Sequence, residues 1–476
     1  MMKKSEGNLL KEKLTFNFES VWENISEVEK KQLFEVNDDY KKFLDSGKTE
    51  REAASEIIRR AEEKGFKSLD EVLKEKKKLV PGMKIYANNK NKGVALFVIG
   101  EESIENGMNI VGSHIDSPRL DLKQYPLYED SELAMLKTHY YGGLRKYQWV
   151  ALPLALHGVV IKNNGEKVDI VIGEDENDPV FFITDLLPHL AKDQSEKKLN
   201  EGIVGEGLNI IVGSIPYGEK DLSEKIKLNV LELLNDRYGI TEEDFTTAEI
   251  EAVPAGKARD LGIDRSLVVS YGQDDRVCAY ASLNAILEIK KPERTSVALF
   301  VDKEEIGSIG NTGMLSMFFE NTVAELVSLI EEGCNALKIR KSMANSRVLS
   351  ADVAAAYDPN YPEVFDRRNA PFPGKGVTLV KYTGSRGKGG SNDANSEFIS
   401  YIRRVFNENN VIWQMGELGK VDQGGGGTIA YILANYGMDV VDCGVPVLSM
   451  HAPYEAVSKA DVYMTYKGYK AFYTSK

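Results

Sequence analysis

Strand-like and helix-like segments alternate from Leu267 to the C-terminus. Short apolar runs such as SVALFVD and VTLVKY are each followed by a longer helical pattern, for example GMLSMFFENTVAELVSLIEEG. Strands that alternate with helices of this length predict an α/β sheet whose two faces are both covered by helices. The nearly continuous apolar run from Val297 to Val301 is typical of a strand buried on both faces.

The rest of the chain has a different texture. The first eighty residues are rich in Lys and Glu with apolar residues at helical spacing, which predicts two or three surface helices, and strands begin at Lys84. Residues 126–265 contain short β-like runs separated by Gly, Asn and Asp, with one helical stretch, KIKLNVLELLNDRYG. We therefore predict a large α/β domain, residues 1–125 and 266–476, interrupted by an inserted β-rich domain at residues 126–265.

Composition narrows the classes of protein. Lys and Arg total 60 against 73 Asp and Glu, a formal charge of −13, so we expect no nucleic-acid partner. The three cysteines (Cys278, Cys334 and Cys443) show no C-x-x-C spacing, which is typical of a protein from a reducing cytoplasm. The N-terminus lacks the apolar region of a signal peptide, and no run is long enough to span a bilayer, so we expect no membrane partner.

Charged residues follow several apolar strands. His114 closes the strand in NIVGSHIDSP, and Asp116 lies two residues on, so both side chains point to the same side of an extended chain. This arrangement suits a metal-binding imidazole held by a carboxylate, and the alternative interpretation is a surface strand end with a local His–Asp hydrogen bond. Asp274 and Asp275 lie between a strand and a helical pattern, where one Asp is ordinarily an N-cap. Both carboxylates together favour a bound cation, which would relieve their repulsion.

Three further strand ends carry ionisable residues. The strand Val297 to Val301 delivers Glu304 and Glu305 into a Gly-rich loop. Adjacent glutamates can divide the work, one binding metal while the other moves protons. Asp352 interrupts a small, apolar run, and a buried Asp requires a partner. His451 ends the apolar strand in GVPVLSMHAPYEA, where a hydrogen-bonded core histidine is the alternative interpretation.

Open α/β sheets gather ligands at the carboxyl ends of their strands, so these side chains are expected to meet. The candidate ligands are two imidazoles and three carboxylates: His114, Asp274, Glu305, Asp352 and His451. A bridging carboxylate would leave each of two divalent ions two further ligands, and a bridging hydroxide would balance the charge. Paired ions activate such a hydroxide and polarise a carbonyl, which is the chemistry of hydrolysis.

Six motifs then resemble those of one family in the same order: GSHIDSPRL, PHLAKDQ, QDDR, DKEEIGS, SADVAAAYDPNY and VLSMHAPYE. They look like the metal and catalytic motifs of the M18 aminopeptidases, the aspartyl aminopeptidase and aminopeptidase I family. The resemblance implies a dizinc-peptidase-like α/β catalytic domain with a mixed central sheet flanked by helices. It further implies that the inserted β-rich domain mediates dimerisation and that dimers assemble into a homododecamer.

The resemblance also implies a ligand arrangement. Asp274 would bridge two divalent metal ions, with zinc favoured and cobalt or manganese as alternatives. His114 and Asp352 would complete one site, and Glu305 and His451 the other. QDDR differs from the LDN form common in the family, so Asp275 stays open as the bridging residue.

Further roles follow from the same resemblance. Glu304 would be the general base, and Asp116 would orient His114. His189 would reach a neighbouring subunit's site and stabilise the oxyanion. Lys381 and Tyr382 match a stretch that lines the substrate pocket, where a lysine at a strand edge is the alternative.

These motifs predict a metal-dependent aminopeptidase that uses a metal-bridging hydroxide and a Glu base to remove the N-terminal residue from peptides. One alternative is another dinuclear metallohydrolase, either a deacylase or a carboxypeptidase. A second is a non-enzymatic, self-assembling shell or cargo protein. The segment VAAAY lacks the histidine found there in eukaryotic aspartyl enzymes, so acidic and neutral N-terminal residues both stay open as the preferred substrate.

Overall fold

The computed structural model describes residues 5–16, 18–331 and 333–476. The helices of this part of the chain are, in order, α1 (Glu6–Leu14), α2 (Val21–Asn24), α3 (Glu27–Ser46), α4 (Glu50–Glu63), α5 (Leu69–Lys74), α6 (Lys192–Ser195), α7 (Leu199–Gly202), α8 (Lys225–Tyr238), α9 (Gln273–Leu287), α10 (Phe318–Ile330), α11 (Ala336–Ala344), α12 (Ser396–Glu408), α13 (Ala430–Ala434) and α14 (Lys459–Tyr473). Among these described helices, none combines the length and apolar character needed to cross a bilayer.

The strands are numbered in the same way. They are β1 (Lys67–Ser68), β2 (Lys84–Asn89), β3 (Gly93–Val98), β4 (Met108–His114), β5 (Arg119–Asp130), β6 (Leu133–Tyr141), β7 (Pro153–Ile161), β8 (Lys167–Ile172), β9 (Phe181–Phe182), β10 (Ile210–Gly213), β11 (Ala248–Pro254), β12 (Arg259–Leu261), β13 (Leu267–Ser270), β14 (Thr295–Val301), β15 (Arg347–Ser350), β16 (Ala354–Ala355), β17 (Val377–Val380), β18 (Trp413–Met415), β19 (Asp439–Gly444), β20 (Pro446–Leu448) and β21 (Glu455–Ser458).

The N-terminal region departs from its prediction. Within the described residues it forms the five helices α1 to α5, so the expectation of two or three surface helices was wrong. Helices α3 and α4 also contribute to the core, because Leu33, Tyr40, Phe43 and Ile57 have no exposed surface. Most of the abundant Lys and Glu lie on the opposite faces of these helices. Because they outnumber the apolar residues, the narrow apolar stripe was difficult to recognise in the sequence.

The largest sheet has nine strands in the order β1-β2-β3-β14-β4-β15-β19-β17-β18. Strands β14, β4, β15 and β19 are parallel neighbours, whereas β3 and β17 run antiparallel to theirs, so the sheet is mixed. Alternate residues of β14 belong to two cores. Ala298 and Phe300 pack with α9 and α14, and Val297 and Leu299 pack with α10. The predicted burial of both faces is confirmed.

A second sheet is formed by strands between Arg119 and Pro254, and its described pairings are all antiparallel. Its order is β11-β5-β6-β10-β9-β7-β8, and β11 also pairs with β7, which closes the sheet on itself. It has a separate apolar core that includes Trp149 and Ile210, and α8 contributes Ile226 and Val230 to that core.

A third sheet has the order β12-β13-β21-β20-β16. Strands β13 and β20 both pair antiparallel with β21, so they run in the same direction. The predicted ligands therefore lie after strands of two sheets. Three lie at or just after the ends of β4, β14 and β15 of the nine-stranded sheet, and two follow β13 and β20 of this smaller one. Sequence reasoning placed them all at the edge of one sheet.

Candidate active site

The Asp274 carboxylate lies between two imidazoles. Its Oδ1 is 3.2 Å from Nε2 of His114, and its Oδ2 is 3.2 Å from Nε2 of His451. Asp274 is buried in the first turn of α9, and the peptide bond that joins it to Asp275 is cis. One carboxylate thus faces two histidines through different oxygens.

Two groups of potential metal ligands share this carboxylate. One consists of His114, Asp274 and Asp352, and the other of Asp274, Glu305 and His451; in each, the ligand atoms lie within 4.8 Å of one another. The five predicted ligands therefore come together in the fold. A third, overlapping group contains His114, Glu304 and Glu305.

The oxygen atoms of the cluster lack enough donors. Asp274 Oδ1 and Glu305 Oε1 are buried without a hydrogen-bond partner. Buried oxygens are normally satisfied, so such atoms need an explanation. Imidazole nitrogens and carboxylate oxygens are ligands that zinc accepts. The donor set therefore fits divalent metal ions of this kind.

The electrostatics agree with a site for cations. Burial and the charge of Glu304 raise the pKa of Asp352 well above its usual range, and burial and the charge of Asp274 do the same to the pKa of Glu305. Burial alone would lower the pKa of His451, but the Asp274 carboxylate 3.2 Å away and the charge of Glu305 raise it to about 10. Bound cations would relieve the repulsion among these buried carboxylates.

The chain passes very closely behind Asp352. A Cβ atom at Gly444, the last residue of β19, would lie 1.8 Å from the Asp352 carbonyl oxygen, so that position requires glycine. This contact fixes the backbone of Asp352 against β19.

Asp116 supports one side of the cluster. Its Oδ1 is 3.3 Å from Nδ1 of His114, and its carboxylate accepts the backbone N–H groups of Glu304 (3.2 Å) and Glu305 (3.3 Å). The hydroxyl of Tyr141 donates to Asp116 at 2.7 Å. Burial would raise the pKa of Asp116, but the hydrogen bonds from His114 and Tyr141 lower it overall. Sequence reasoning found Asp116 and missed Tyr141, which β6 supplies without any motif.

Glu304 begins a short 3₁₀ turn after β14 and faces the same cavity as the ligands. Its Oε2 lies 4.0 Å from Nε2 of His114. Burial and the charges of Asp274 and Asp116, only partly offset by His114, raise the pKa of Glu304 to about 7. A carboxyl with this pKa can both accept and release a proton near neutral pH.

The cavity beside the cluster has a volume of about 500 Å³. The ionisable side chains form one wall, and apolar side chains that include Val380, Tyr431 and Met450 form another. The glycine run 425–427 also lines it.

Lys381 and Tyr382 are not part of the cavity wall. Lys381 Nζ donates to the carboxylate of Asp393 and, at 2.8 Å, to the carbonyl of Ala394. Tyr382 donates to Oε1 of Glu417 at 2.6 Å, and Glu417 does line the cavity. Any effect of Tyr382 on a bound molecule would therefore pass through Glu417, which sequence reasoning missed.

Two other predicted residues lie outside the ligand groups. Asp275 is completely buried, and its Oδ2 accepts the backbone N–H of His114 at 3.3 Å. His189 lies in an exposed turn before α6, in none of the ligand groups of the described chain. In a single chain, the structure does not bring His189 to the cluster.

Comparison with known proteins decides the family. The model of a family described as "Aminopeptidase I zinc metalloprotease (M18)" matches residues 43–473. The chain belongs to this family. A curated relative from Clostridium acetobutylicum, "Probable M18 family aminopeptidase 1", is 55% identical over 466 residues, which are 98% of this chain and 99% of the relative. The M18 chain is accordingly a zinc-dependent aminopeptidase, as its motifs predicted.

Solved structures agree. The crystal structure of an M18 aminopeptidase from Thermotoga maritima is 44% identical, covers 97% of this chain and 100% of its own, and has a TM-score of 0.92. The structure of the mApe1 dodecamer of S. cerevisiae shares the fold, with 21% identity, a TM-score of 0.73, and coverage of 92% and 95%. The mixed α/β fold is thus that of M18 aminopeptidases, and the deacylase, carboxypeptidase and shell-protein alternatives are set aside.

Proposed function

We propose that this M18 aminopeptidase removes the N-terminal residue of peptides at a centre for two zinc ions bridged by Asp274. The observation that carries the proposal is the position of the Asp274 carboxylate, which offers one oxygen to each histidine. His114 and Asp352 would complete one site, and Glu305 and His451 the other. Asp275 would stay outside the bridge, since its Oδ2 accepts the backbone N–H of His114.

Zinc ions bound here would polarise the scissile carbonyl and lower the pKa of a water molecule towards neutral. Glu304 would accept the proton that the attacking water loses and deliver it to the departing amine. Its pKa of about 7 supports this role, because the same group must take up and release a proton in each cycle. Asp116 would hold His114 in the tautomer that presents Nε2 to the metal.

The cavity would bind the first residue of a peptide. Its apolar wall suits a side chain, and the carboxylate of Glu417 adds negative charge where a protonated amine would be attracted. Tyr382 would hold Glu417 in place through its hydroxyl, and Lys381 would shape the loop by binding Asp393.

We further propose self-association. The predicted β-rich insertion at residues 126–265, which contains most of the seven-stranded sheet, would be a dimerisation domain, and dimers would assemble into a dodecamer like the one named for the S. cerevisiae relative. Three leucines beside His189, namely Leu186, Leu187 and Leu190, are at least half exposed, which suits a surface covered by another copy. His189 of the partner subunit would then reach the active site and stabilise the oxyanion.

The free cysteines fit a reducing cytoplasm.

Metal removal tests the centre. Dialysis against a zinc chelator should abolish hydrolysis of aminoacyl substrates, and zinc should restore it, with cobalt or manganese as possible substitutes. Elemental analysis of the restored enzyme should find two zinc ions per chain. Blocking the α-amine of the substrate should prevent turnover. Full activity after complete removal of metal would refute the proposal.

A further inference from the structure

Two ligands of the candidate centre are held by loops. Asp274 follows β13 through the turn at Gly272, and His451 lies in the loop after β20 with a φ of +63°. A residue other than glycine is strained in this left-handed conformation, so it persists only where its surroundings impose it. Both loops extend from strands that pair with β21, and Glu455 is the first residue of β21.

The side chain of Glu455 joins these loops. Its Oε1 accepts the backbone N–H of His451 at 2.8 Å, and its Oε2 accepts those of Gln273 at 2.6 Å and Asp274 at 3.0 Å. The Gln273 side chain also donates to the backbone carbonyl of Glu455 at 2.6 Å. Glu455 is buried, so these bonds are shielded from competing water.

We propose that Glu455 is a positioning residue, whose carboxylate ties the backbone of Asp274 to that of His451 and thereby sets the geometry of both zinc sites. The proposal rests on the proposed function of the centre. Glu455 is not among the residues that line the cavity, so it acts through the ligands that it holds. Supporting residues of this kind typically change metal affinity by about 10- to 100-fold when they are replaced.

Replacing Glu455 by Gln preserves its shape but presents an NH₂ group to backbone N–H donors. Full-length, zinc-loaded Glu455→Gln should be equilibrated with a series of zinc buffers, and its zinc content compared with that of the parent enzyme. We expect affinity to fall about 10- to 100-fold, with the larger loss at the site that contains His451. At saturating zinc, kcat should recover substantially and KM should change little.

Asp461 provides a matched control. It is a completely buried carboxylate whose oxygens accept the N–H groups of Gly374 and Gly376, each at 2.7 Å, and it belongs to no ligand group of the described chain. Asp461→Asn should lower the melting temperature yet keep parental zinc affinity. Glu455→Asp, which retains the charge but is too short to reach both loops, should also weaken zinc binding, because the tie between the loops is lost.

Parental zinc affinity in Glu455→Gln would overturn the proposal, whatever happens to its melting temperature. If neither Glu455 variant folds while Asp461→Asn does, Glu455 has a general structural role and the proposal is also overturned. Failure of the proposed centre is a separate outcome, because the parent enzyme itself would then bind no zinc.

Discussion

Glu304 and Glu305 are adjacent in the chain but differ in their surroundings. Glu305 lies within 3.5 Å of His451 in a ligand group that contains Asp274, whereas Glu304 faces the cavity with its pKa raised to about 7 by burial and neighbouring carboxylates. We expect Glu304→Gln to keep the zinc content of the parent and to lower kcat by roughly 100- to 10,000-fold, because an amide cannot accept the proton. Steady-state kinetics and metal analysis together measure this outcome.

The neighbouring substitution Glu305→Gln provides the control. It changes the same atoms one residue further along, but it should reduce zinc content because a ligand is lost. Equal zinc loss in both variants would contradict the separate roles of the two glutamates, as would undiminished turnover in Glu304→Gln.

At the residue scale, sequence reasoning located the candidate ligands because a charged side chain at the end of an apolar strand is a local signal. It could not separate Asp274 from Asp275, since their directions depend on contacts of Asp275 with the His114 backbone and with Cys278. It also passed over Glu455 and Tyr141. Their partners are distant in sequence, so only the folded chain shows what they contact.

At the element scale, helix α4 and the residues before it dock on the seven-stranded sheet through His157 of β7. Nδ1 of His157 is 2.8 Å from Glu52 of α4, and Nε2 is 3.0 Å from Glu174, which also accepts Lys48. Lys48 further donates to the carbonyls of Pro254 and Gly256. This partly buried cluster fastens the N-terminal helices to the second sheet.

The cluster predicts a pH dependence of stability. Burial would lower the pKa of His157, but its hydrogen bonds to Glu174 and Glu52 raise it overall. A histidine whose pKa is raised by folding stabilises the folded state. This contribution is fully present when the pH is below the unfolded-state pKa of 6.5, and it is lost as the pH rises through the folded-state pKa. His157→Gln should therefore cost about 1.5–3 kcal/mol at mildly acidic pH and progressively less at alkaline pH, because bonds between charged partners are lost.

Melting temperatures of zinc-loaded parent and variant across this pH range give the measurement. The exposed His139, replaced by Gln, is the control and should leave the pH dependence of the parent unchanged. A difference between parent and His157→Gln that grows with increasing pH would contradict the sign of this argument.

The elements themselves were predictable to different degrees. The run Val297 to Val301 predicted a strand buried on both faces, because a continuous apolar segment of strand length is typical of a strand covered on both sides in a layered protein. The division of ligand-bearing strands between two sheets was not predictable, because strand pairing is decided by contacts between distant segments. Helix α3 was underestimated, since its many charged residues outnumber the stripe that contains Leu33 and Tyr40.

At the scale of the whole molecule, His189, which is predicted to be catalytic, does not lie at the ligand cluster of its own chain. His189 is exposed, belongs to no ligand group in the described part of the chain, and lies beside exposed leucines that would be covered in a dimer. If His189 acts on the neighbouring site, a site needs residues from two chains. His189→Ala should then lower kcat while zinc content stays parental, because the substitution removes an oxyanion donor and no metal ligand.

Mixed assemblies distinguish action within a chain from action between chains. His189→Ala and Glu304→Gln should each be nearly inactive alone, yet their co-expression should restore about a quarter of parental activity, because half of random dimers are mixed and each mixed dimer has one complete site. That site combines Glu304 of the first variant with His189 of the second. Differently tagged chains, purified through both tags, should be enriched in the restored activity. If His189 acts on the partner's site, every mixed dimer must contain one complete site and be active. Purified mixed assemblies no more active than either variant would therefore show that each chain uses its own His189 or none.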